Sequence, residues 1–251
     1  YGAGHREDGD MRRWRDIGAP HNGADGEQHG ADRRQAQRAD QFAIGYFHNS
    51  KNDAYEGSVE VFYKDFLNQV EFIDGSDLLL NELIEGDILT GIGRAYGAEF
   101  YLKKISGKLQ GWISYTLART ERKVEGINNG AWFPARFDQT HNLSLVGFYD
   151  LNDRWSFSTN FTYITGTPAT FPTNRYEFQG YTLAHNVGGG RNNNRIADYH
   201  RLDLSATLQG KKMKKGKERK NEDYWVFSLY NVYGRRNPYS VYFQPNEMGS
   251  R

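Results

Sequence analysis

The chain lacks cysteine, an excess of either charge, and any long apolar run. Without cysteine, neither disulfide bonds nor thiolate metal sites can form. The 32 basic and 31 acidic side chains nearly cancel, so the chain offers no clearly basic face for nucleic acid. No stretch approaches 18 consecutive apolar residues, which excludes a membrane-spanning helix. These absences point away from disulfide-stapled, nucleic-acid-binding and helical membrane proteins.

Aromatic residues, by contrast, are abundant. Tyr, Phe and Trp make up 15% of the chain, although its mean hydropathy is only −0.81. Low hydropathy alone is typical of disordered chains, but those are poor in aromatic residues. Strands with one aromatic, apolar face and one polar face account for both values. This composition is typical of transmembrane β-barrels, in which lipid-facing and lumen-facing residues alternate.

The chain changes character near residue 40. Residues 1–40 consist mainly of Gly, Ala, Arg, Asp, Gln and His and show neither strand nor helix periodicity. Such a segment buries too little apolar surface to offset its chain entropy, so we predict that it is disordered. Two interpretations stay open, a native flexible loop or translation in a wrong reading frame upstream of about Arg38. Residues 41–251 form the second region.

Alternation with a period of two dominates the second region. In the clearest case, Trp155, Phe157, Thr159, Phe161 and Tyr163 share one face of a strand, while serine, asparagine and threonine fill the other. The same pattern recurs in residues 55–64, 109–117 and 202–209. About nine such strands are predicted, the last at residues 239–243, and their length suits a tilted bilayer crossing.

The links between the predicted strands alternate in length. Short links at residues 51–54, 106–107 and 151–153 alternate with long ones at 67–93, 122–136 and 166–198. Short turns at one end and long loops at the other are typical of outer-membrane barrels. A charged link at residues 211–223 is longer than this rule predicts. The expected fold is therefore all-β, a segment of an antiparallel transmembrane β-barrel.

The ends of the chain carry a further expectation. A barrel in hydrocarbon cannot leave a sheet edge unpaired, and nine strands do not close a bacterial barrel. The first ten residues also lack the apolar core of a signal peptide. We therefore expect the barrel to be incomplete at both ends.

Five stretches of the second region have a familiar sequence. In order, they are residues 93–104 (GRAYGAEFYLKK), 111–120 (GWISYTLART), 133–141 (FPARFDQTH), 199–204 (YHRLDL) and 227–239 (FSLYNVYGRRNPY). They resemble strands and loops of TonB-dependent outer-membrane receptors of the Bacteroidetes type. Each stretch alone is moderately specific, and the order of all five makes the resemblance strong. It runs from about Ala39 to Gln244.

The resemblance implies a 22-stranded barrel closed by a plug, of which this chain would be a C-terminal part. Receptors of this family import siderophores, vitamin B12, oligosaccharides or peptides with energy passed through TonB. The expected partners are outer-membrane lipid, a nutrient ligand, the TonB complex acting through a missing plug domain, and a surface lipoprotein. Neither a plug nor a TonB box is recognisable in the sequence.

Residue patterns that would indicate catalysis or a cofactor are weak. Gly91, Gly93 and Gly97 miss the dinucleotide-binding spacing and precede a strand instead of a helix. The acidic loop residues Asp77, Glu82, Glu85 and Asp87 lack a calcium-binding spacing. No histidine pair has zinc-ligand spacing, and the basic run from Lys211 is interleaved with acids and typical of a solvated turn. We expect no enzyme and no cofactor.

Ligand contacts are expected in the long loops. Aromatic rings stack on sugars and planar ligands, and arginine binds carboxylates through two hydrogen bonds. The candidates are Trp132, Phe133, Arg136, Phe171, Arg175, Tyr176, Phe178 and Tyr181. Packing between the loops is the alternative role for each. Two alternative functions also stay open, another outer-membrane barrel such as a porin or adhesin, and a soluble β-sandwich binding module.

Overall fold

The computed structural model describes residues 36–76, 84–186, 188–211 and 223–243, together with the backbone of 213–214, 217–218 and 246–247. The first 35 residues, acidic residues Asp77 and Glu82, and most of the charged link at 211–223 lie outside this part. Eight main strands are β1 Arg38–Asn49, β2 Tyr55–Phe72, β3 Ile88–Lys104, β4 Leu109–Val124, β5 His141–Asp150, β6 Trp155–Ile164, β7 Tyr199–Gln209 and β8 Tyr224–Leu229.

These strands form one antiparallel sheet in which sequence neighbours are also spatial neighbours. The order runs from β1 to β8 without a crossover, and a two-residue strand at Phe133–Pro134 pairs with β4 as a ninth member. Within the described residues, β1 and β8 each pair on one side only. The sheet has nine members, but the ninth is the Phe133–Pro134 strand and not the strand predicted at 239–243. Among the described residues, no second sheet packs face to face on this meander as a sandwich requires.

Shorter elements lie in the loops. The strands Asn174–Phe178 and Tyr181–His185 form a hairpin, joined by Asn246–Glu247. Pro168–Ala169 pairs with Asn194–Arg195, and Met213–Lys214 pairs with Lys217–Glu218. Two 3-10 turns cover Ile84–Asp87 and Asn128–Gly130. In this part of the chain, no helix has the length and hydrophobicity needed to cross a membrane.

The register places most apolar residues of the eight strands on one face, although a few, such as Trp112 and Phe148, lie on the other. Across β5, β6 and β7, for example, Leu145 is opposite Phe161, which is opposite Leu202. We call this face the apolar belt, and many of its large side chains are more than one third exposed. Its exposed members include Ile44, Val59, Val61, Phe100, Leu102, Ile113, Leu117, Phe157, Leu204 and Phe227. So much exposed apolar surface requires a nonaqueous neighbour.

The height of the apolar belt matches a bilayer. On β3, the belt residues lie between two cations on the same face, Arg94 and Lys104. Ten residue steps of about 3.4 Å, tilted by about 40°, span about 26 Å along the membrane normal. This is close to the apolar band of about 25 Å found on outer-membrane barrels.

Aromatic side chains flank the belt near the end of the sheet that carries the long loops. Tyr63 stacks on Tyr96, with ring centroids 6.5 Å apart. The Tyr115 hydroxyl is 2.8 Å from His141 Nδ1, and His200 Nδ1 is 2.8 Å from the Tyr233 hydroxyl. Amphipathic rings favour the boundary between hydrocarbon and headgroups. These residues therefore mark one membrane interface.

Strand lengths differ from the expectation in two places. β2, β3 and β4 have 16 to 18 residues and extend beyond the belt, so the first long link shrinks from 67–93 to 73–87. A bulge between Phe66 and Gln69 lets β2 continue, with Asn68 at φ 56°. The predicted strand at 239–243 is wrong, because these residues form no strand. Regular pairing of β8 with β7 ends at Leu229, and Asn231 has a positive φ of 52°.

Candidate functional site

Three long loops gather at one end of the sheet. They comprise residues 73–87 between β2 and β3, 125–140 between β4 and β5, and 165–198 between β6 and β7. The opposite end carries the short turns at 50–54, 105–108 and 151–154. This arrangement follows from the meander, because every second link returns to the same end. The three loops form the candidate ligand-binding end, called here the loop platform.

A small apolar core holds the middle loop of the platform. Val124 and Ile127 are fully buried, and Phe133 is 2% exposed. Leu89, at the start of β3, packs against the same cluster. Burial of these side chains stabilises the 125–140 loop, since each fully buried large apolar side chain contributes about 1.5–3 kcal/mol. The loop is therefore a packed unit of the fold.

Arg191 joins the three loops. Its guanidinium donates to Glu71 (2.9 Å), to Asp74 (2.7 Å) and to the carbonyl oxygen of Phe72 (2.6 Å). Its backbone N–H donates to Asn128 Oδ1 at 2.6 Å, and Asn128 Nδ2 donates back to its carbonyl oxygen at 3.1 Å. Only 15% of the Arg191 side chain is exposed. Arg191 is therefore the hub of the loop platform.

A second ion pair, between Asp138 and Arg195, joins two of the three loops. Asp138 is 1% exposed and bonds to the guanidinium of Arg195, and its Oδ1 accepts the backbone N–H of Thr120 at 2.5 Å. Arg195 also donates to the carbonyl oxygen of Gly166 at 2.9 Å. A buried carboxylate requires such a partner, because desolvation of an unpaired charge is costly. The pair fastens the 165–198 loop to the 125–140 loop.

Asp198, the last residue of the 165–198 loop, links the two ends of that loop. It accepts hydrogen bonds from the backbone N–H of Gly166 at 2.9 Å and from the Tyr163 hydroxyl at 2.7 Å. The Gly166 bond, followed by the Tyr163 bond and the positive charges of Arg235 and Arg195, lowers the pKa of Asp198 below its ordinary value. The folded chain therefore stabilises the ionised carboxylate of Asp198 relative to its protonated form.

This lowered pKa predicts a pH dependence. A carboxyl group whose folded pKa is depressed contributes stability above its unfolded pKa, about 3.9, and loses it as the pH falls through the folded pKa. The wild-type melting temperature should therefore fall more steeply below about pH 4 than that of Asp198→Asn. Thermal unfolding in detergent micelles between pH 7 and 2.5 measures this. Parallel curves for the two proteins would contradict the assignment.

The structure divides the predicted ligand contacts into groups. Phe133 belongs to the buried core and has almost no exposed surface. Trp132 covers the guanidinium of Arg94, with 4.2 Å between the ring centroid and the Arg94 Cζ. Arg136 is exposed on the same loop. Phe171 packs edge-on against Phe243, with centroids 5.4 Å apart.

The other four candidates lie together on the hairpin of Asn174–Phe178 and Tyr181–His185. Phe178 is opposite Tyr181, and Tyr176 is opposite Leu183, so the three rings share one face. The exposed fraction is 50% for Tyr176, 57% for Phe178 and 46% for Tyr181. Arg175 lies on the other face. We call the first side the aromatic hairpin face.

A polar pocket of about 450 Å³ lies beside Arg191. Its lining residues are Asp74, Gly126, Asn128, Asn129, Asn186, Gly188, Gly189 and Gly190. Sequence reasoning missed this pocket and the hub. The available signal was an arginine between a glycine run and an asparagine run, at Gly188–Gly190 and Asn192–Asn194. Among the described residues, no group of three histidine or acidic side chains could hold a metal ion.

Among the solved structures that resemble this fold are two iron-transport proteins. The ferric-catecholate import receptor Fiu from Escherichia coli K12, in its closed form, gives a TM-score of 0.52 at 16% identity over 79% of this chain and 24% of that chain. The FrpB iron transporter from Neisseria meningitidis gives 0.50 at 14% identity, over 82% of this chain and 28% of that chain. The likeness shows the fold. The chain forms a segment of an antiparallel transmembrane β-barrel.

The expected fold class is thereby confirmed, and the apolar belt becomes the lipid-facing surface of the segment. The chain spans about a quarter of the length of the two structures that it matches. No family model and no curated protein matches its sequence. Both matched structures are named for import or transport, and neither for an enzymatic reaction.

Proposed function

We propose that the chain is part of a TonB-dependent outer-membrane receptor and that it supplies barrel wall and part of the ligand vestibule. The observation that supports this proposal best is the combination of a meander sheet that has a lipid-facing surface with a loop platform at one end. The likeness to two iron-import proteins supports import over adhesion. The role is passive: loops and wall bind and guide a nutrient, and energy comes through TonB.

The ligand would first meet the aromatic hairpin face. Tyr176, Phe178 and Tyr181 are exposed rings on the hairpin of the longest loop. Exposed rings that share one face suit a planar or ring-shaped ligand. Because the matched structures are an import receptor for ferric catecholate and an iron transporter, an iron complex is the first ligand to test. Vitamin, oligosaccharide and peptide ligands complete the panel of ligands to be tested. The proposal also includes a surface lipoprotein as a protein partner.

Membrane placement has its own test. A folded barrel should partition with outer membranes and migrate faster on a denaturing gel before heating than after it. Uptake of radiolabelled ferric catecholate by cells producing the receptor should then depend on the proton gradient. Uptake that persists without the gradient would favour a porin, whereas heat-insensitive migration without detergent would contradict the barrel itself.

Replacing Tyr176, Phe178 and Tyr181 together with serine should weaken ligand binding at least tenfold. Stacking between two aromatic rings typically contributes about 0.5–1.5 kcal/mol beyond area burial, so the loss of three such contacts to a planar aromatic ligand adds up. Titration of the ligand panel against purified receptor in micelles measures the Kd. Tyr239→Ser is the matched control, because Tyr239 is 99% exposed and lies outside the hairpin. Equal losses in the triple variant and the control would refute a role for this face.

A further inference from the structure

The apolar belt contains a groove of about 740 Å³ across β2, β3 and β4. One wall is the row of Tyr63, Tyr96 and Arg119, which are directly opposite one another on the three strands. The other wall is the next row, Val61, Ala98 and Leu117. The strand backbone between the two rows forms the floor, and almost all of the lining surface is apolar.

The small side chain of Ala98 explains the depression. Its neighbours in the row, Val61 and Leu117, are large and stand 52% and 41% exposed. Above them, the stacked rings of Tyr63 and Tyr96 form a ledge. A slot between large side chains on a lipid-facing surface has the shape of an extended hydrocarbon chain. Filling it with lipid removes apolar surface from any contact with water.

A cationic site closes one end of the groove. Glu121 is 5% exposed and bonds to two arginines, Arg94 at 2.7 Å and Arg119 at 2.6 Å. Two guanidinium groups against one carboxylate leave a positive charge. Arg94 is engaged by Glu121 and by Trp132, whereas Arg119 is half exposed and bonds to Glu121 through Nε. In the described part of the chain, its two amino groups have no hydrogen bond.

Other charges near the groove do not cancel this one. Lys123 follows on the same face of β4 and is exposed. Asp65 on β2 is opposite Arg94 and lies two strands from Arg119, so its negative charge offsets that of Arg94. The negative charge of Asp138 also acts on Arg119, but Asp138 is ion-paired with Arg195. The free donors therefore sit at Arg119, where the apolar groove meets the interfacial tyrosines. An apolar slot ending at a guanidinium matches an acyl chain that ends at a phosphate headgroup.

We propose that this groove binds one membrane lipid, with an acyl chain against Ala98 and its headgroup phosphate on Arg119. The inference rests on the membrane placement proposed above. Anionic lipid should be held more tightly than zwitterionic lipid, because only the former leaves a net negative charge to balance Arg119. The site would anchor the wall at the interface where β2, β3 and β4 extend out of the bilayer.

Retention of lipid tests the proposal. The purified protein, in micelles supplied with phosphatidylglycerol or with phosphatidylcholine of the same acyl chains, is washed and examined by native mass spectrometry. We expect one retained phosphatidylglycerol per protein, and at least a fivefold lower retained fraction for Ala98→Leu, which fills the groove. Arg119→Gln should also lower it and should remove the preference between the two lipids.

Ala206→Leu is the matched control. Ala206 lies on the same apolar belt, opposite Phe157 and Phe227, far from any cation of the groove. Its lipid retention should equal that of the wild type. Unchanged retention in Ala98→Leu, or an equal fall in Ala206→Leu, would overturn the lipid site while heat-modifiable migration still supports the barrel. Heat-insensitive migration would overturn the proposed function, and the lipid site with it.

Discussion

Arg195→Met is expected to lower the free energy of unfolding by about 3 kcal/mol. The substitution keeps the apolar stem but leaves the carboxylate of Asp138, 1% exposed, with only the backbone N–H of Thr120 and no cation. Removing one member of a buried ion pair typically costs about 3–5 kcal/mol. The lower end applies because the Arg195 side chain is 29% exposed.

Equilibrium unfolding by urea in micelles, followed by tryptophan fluorescence, measures this loss. Arg136→Met is the matched control, since Arg136 is an exposed arginine on the same loop as Asp138, and it should change stability by less than about 0.5 kcal/mol. Adding Asp138→Asn to Arg195→Met should recover part of the loss, because the unpaired charge is then removed. A double-mutant cycle with no coupling would show that the pair does not act as a unit.

Leu204→Arg is expected to destabilise the barrel by about 2–4 kcal/mol if the residue lies near the bilayer midplane. Leu204 lies in the middle of the belt portion of β7 and is opposite Thr159 and Leu229. A guanidinium at this depth must leave water or distort the lipid around it. Folding into lipid vesicles, titrated with guanidinium chloride, gives the free energy difference.

Ser205→Arg provides the internal comparison for that measurement. Ser205 is on the polar face, where its hydroxyl is 3.1 Å from that of Ser228. An arginine there meets water or lumen groups, so the expected cost is below about 1 kcal/mol. Similar costs at positions 204 and 205 would mean that the assignment of faces is wrong, and with it the lipid-facing belt.

The faces of the strands were predictable because each face has a uniform environment. Lipid on one side and polar lumen on the other impose alternation at every residue, as between Trp155 and Tyr163. The ends of β2, β3 and β4 were not predictable, since these strands leave the bilayer and the alternation then carries no information. Charged residues such as Arg94 and Glu121 look like loop residues in the sequence, yet they are paired within the sheet.

The contacts that join the three loops of the platform escaped prediction for a different reason. Arg191 bonds to residues 117 to 120 positions away, and no local pattern encodes contacts at that separation. Residue type suggested ligand contact for Phe133, but its side chain packs into the core of its own loop. Only Tyr176, Phe178 and Tyr181, whose pairing is local, came together as neighbouring residues on one face. The register of a local hairpin could be predicted from the sequence, whereas contacts between distant loops could not.

Arg191 has a consequence for protein engineering. A natural way to retarget a receptor is to graft one binding loop from a relative onto an existing barrel. Here the 165–198 loop carries the guanidinium. Its acceptor Glu71 lies at the end of β2, its acceptor Asp74 in the 73–87 loop and its amide partner Asn128 in the 125–140 loop. A graft that replaces one loop alone would leave either the carboxylates or the arginine without their ion-pair partners. The three loops must therefore be exchanged as a set, or the partners redesigned with them.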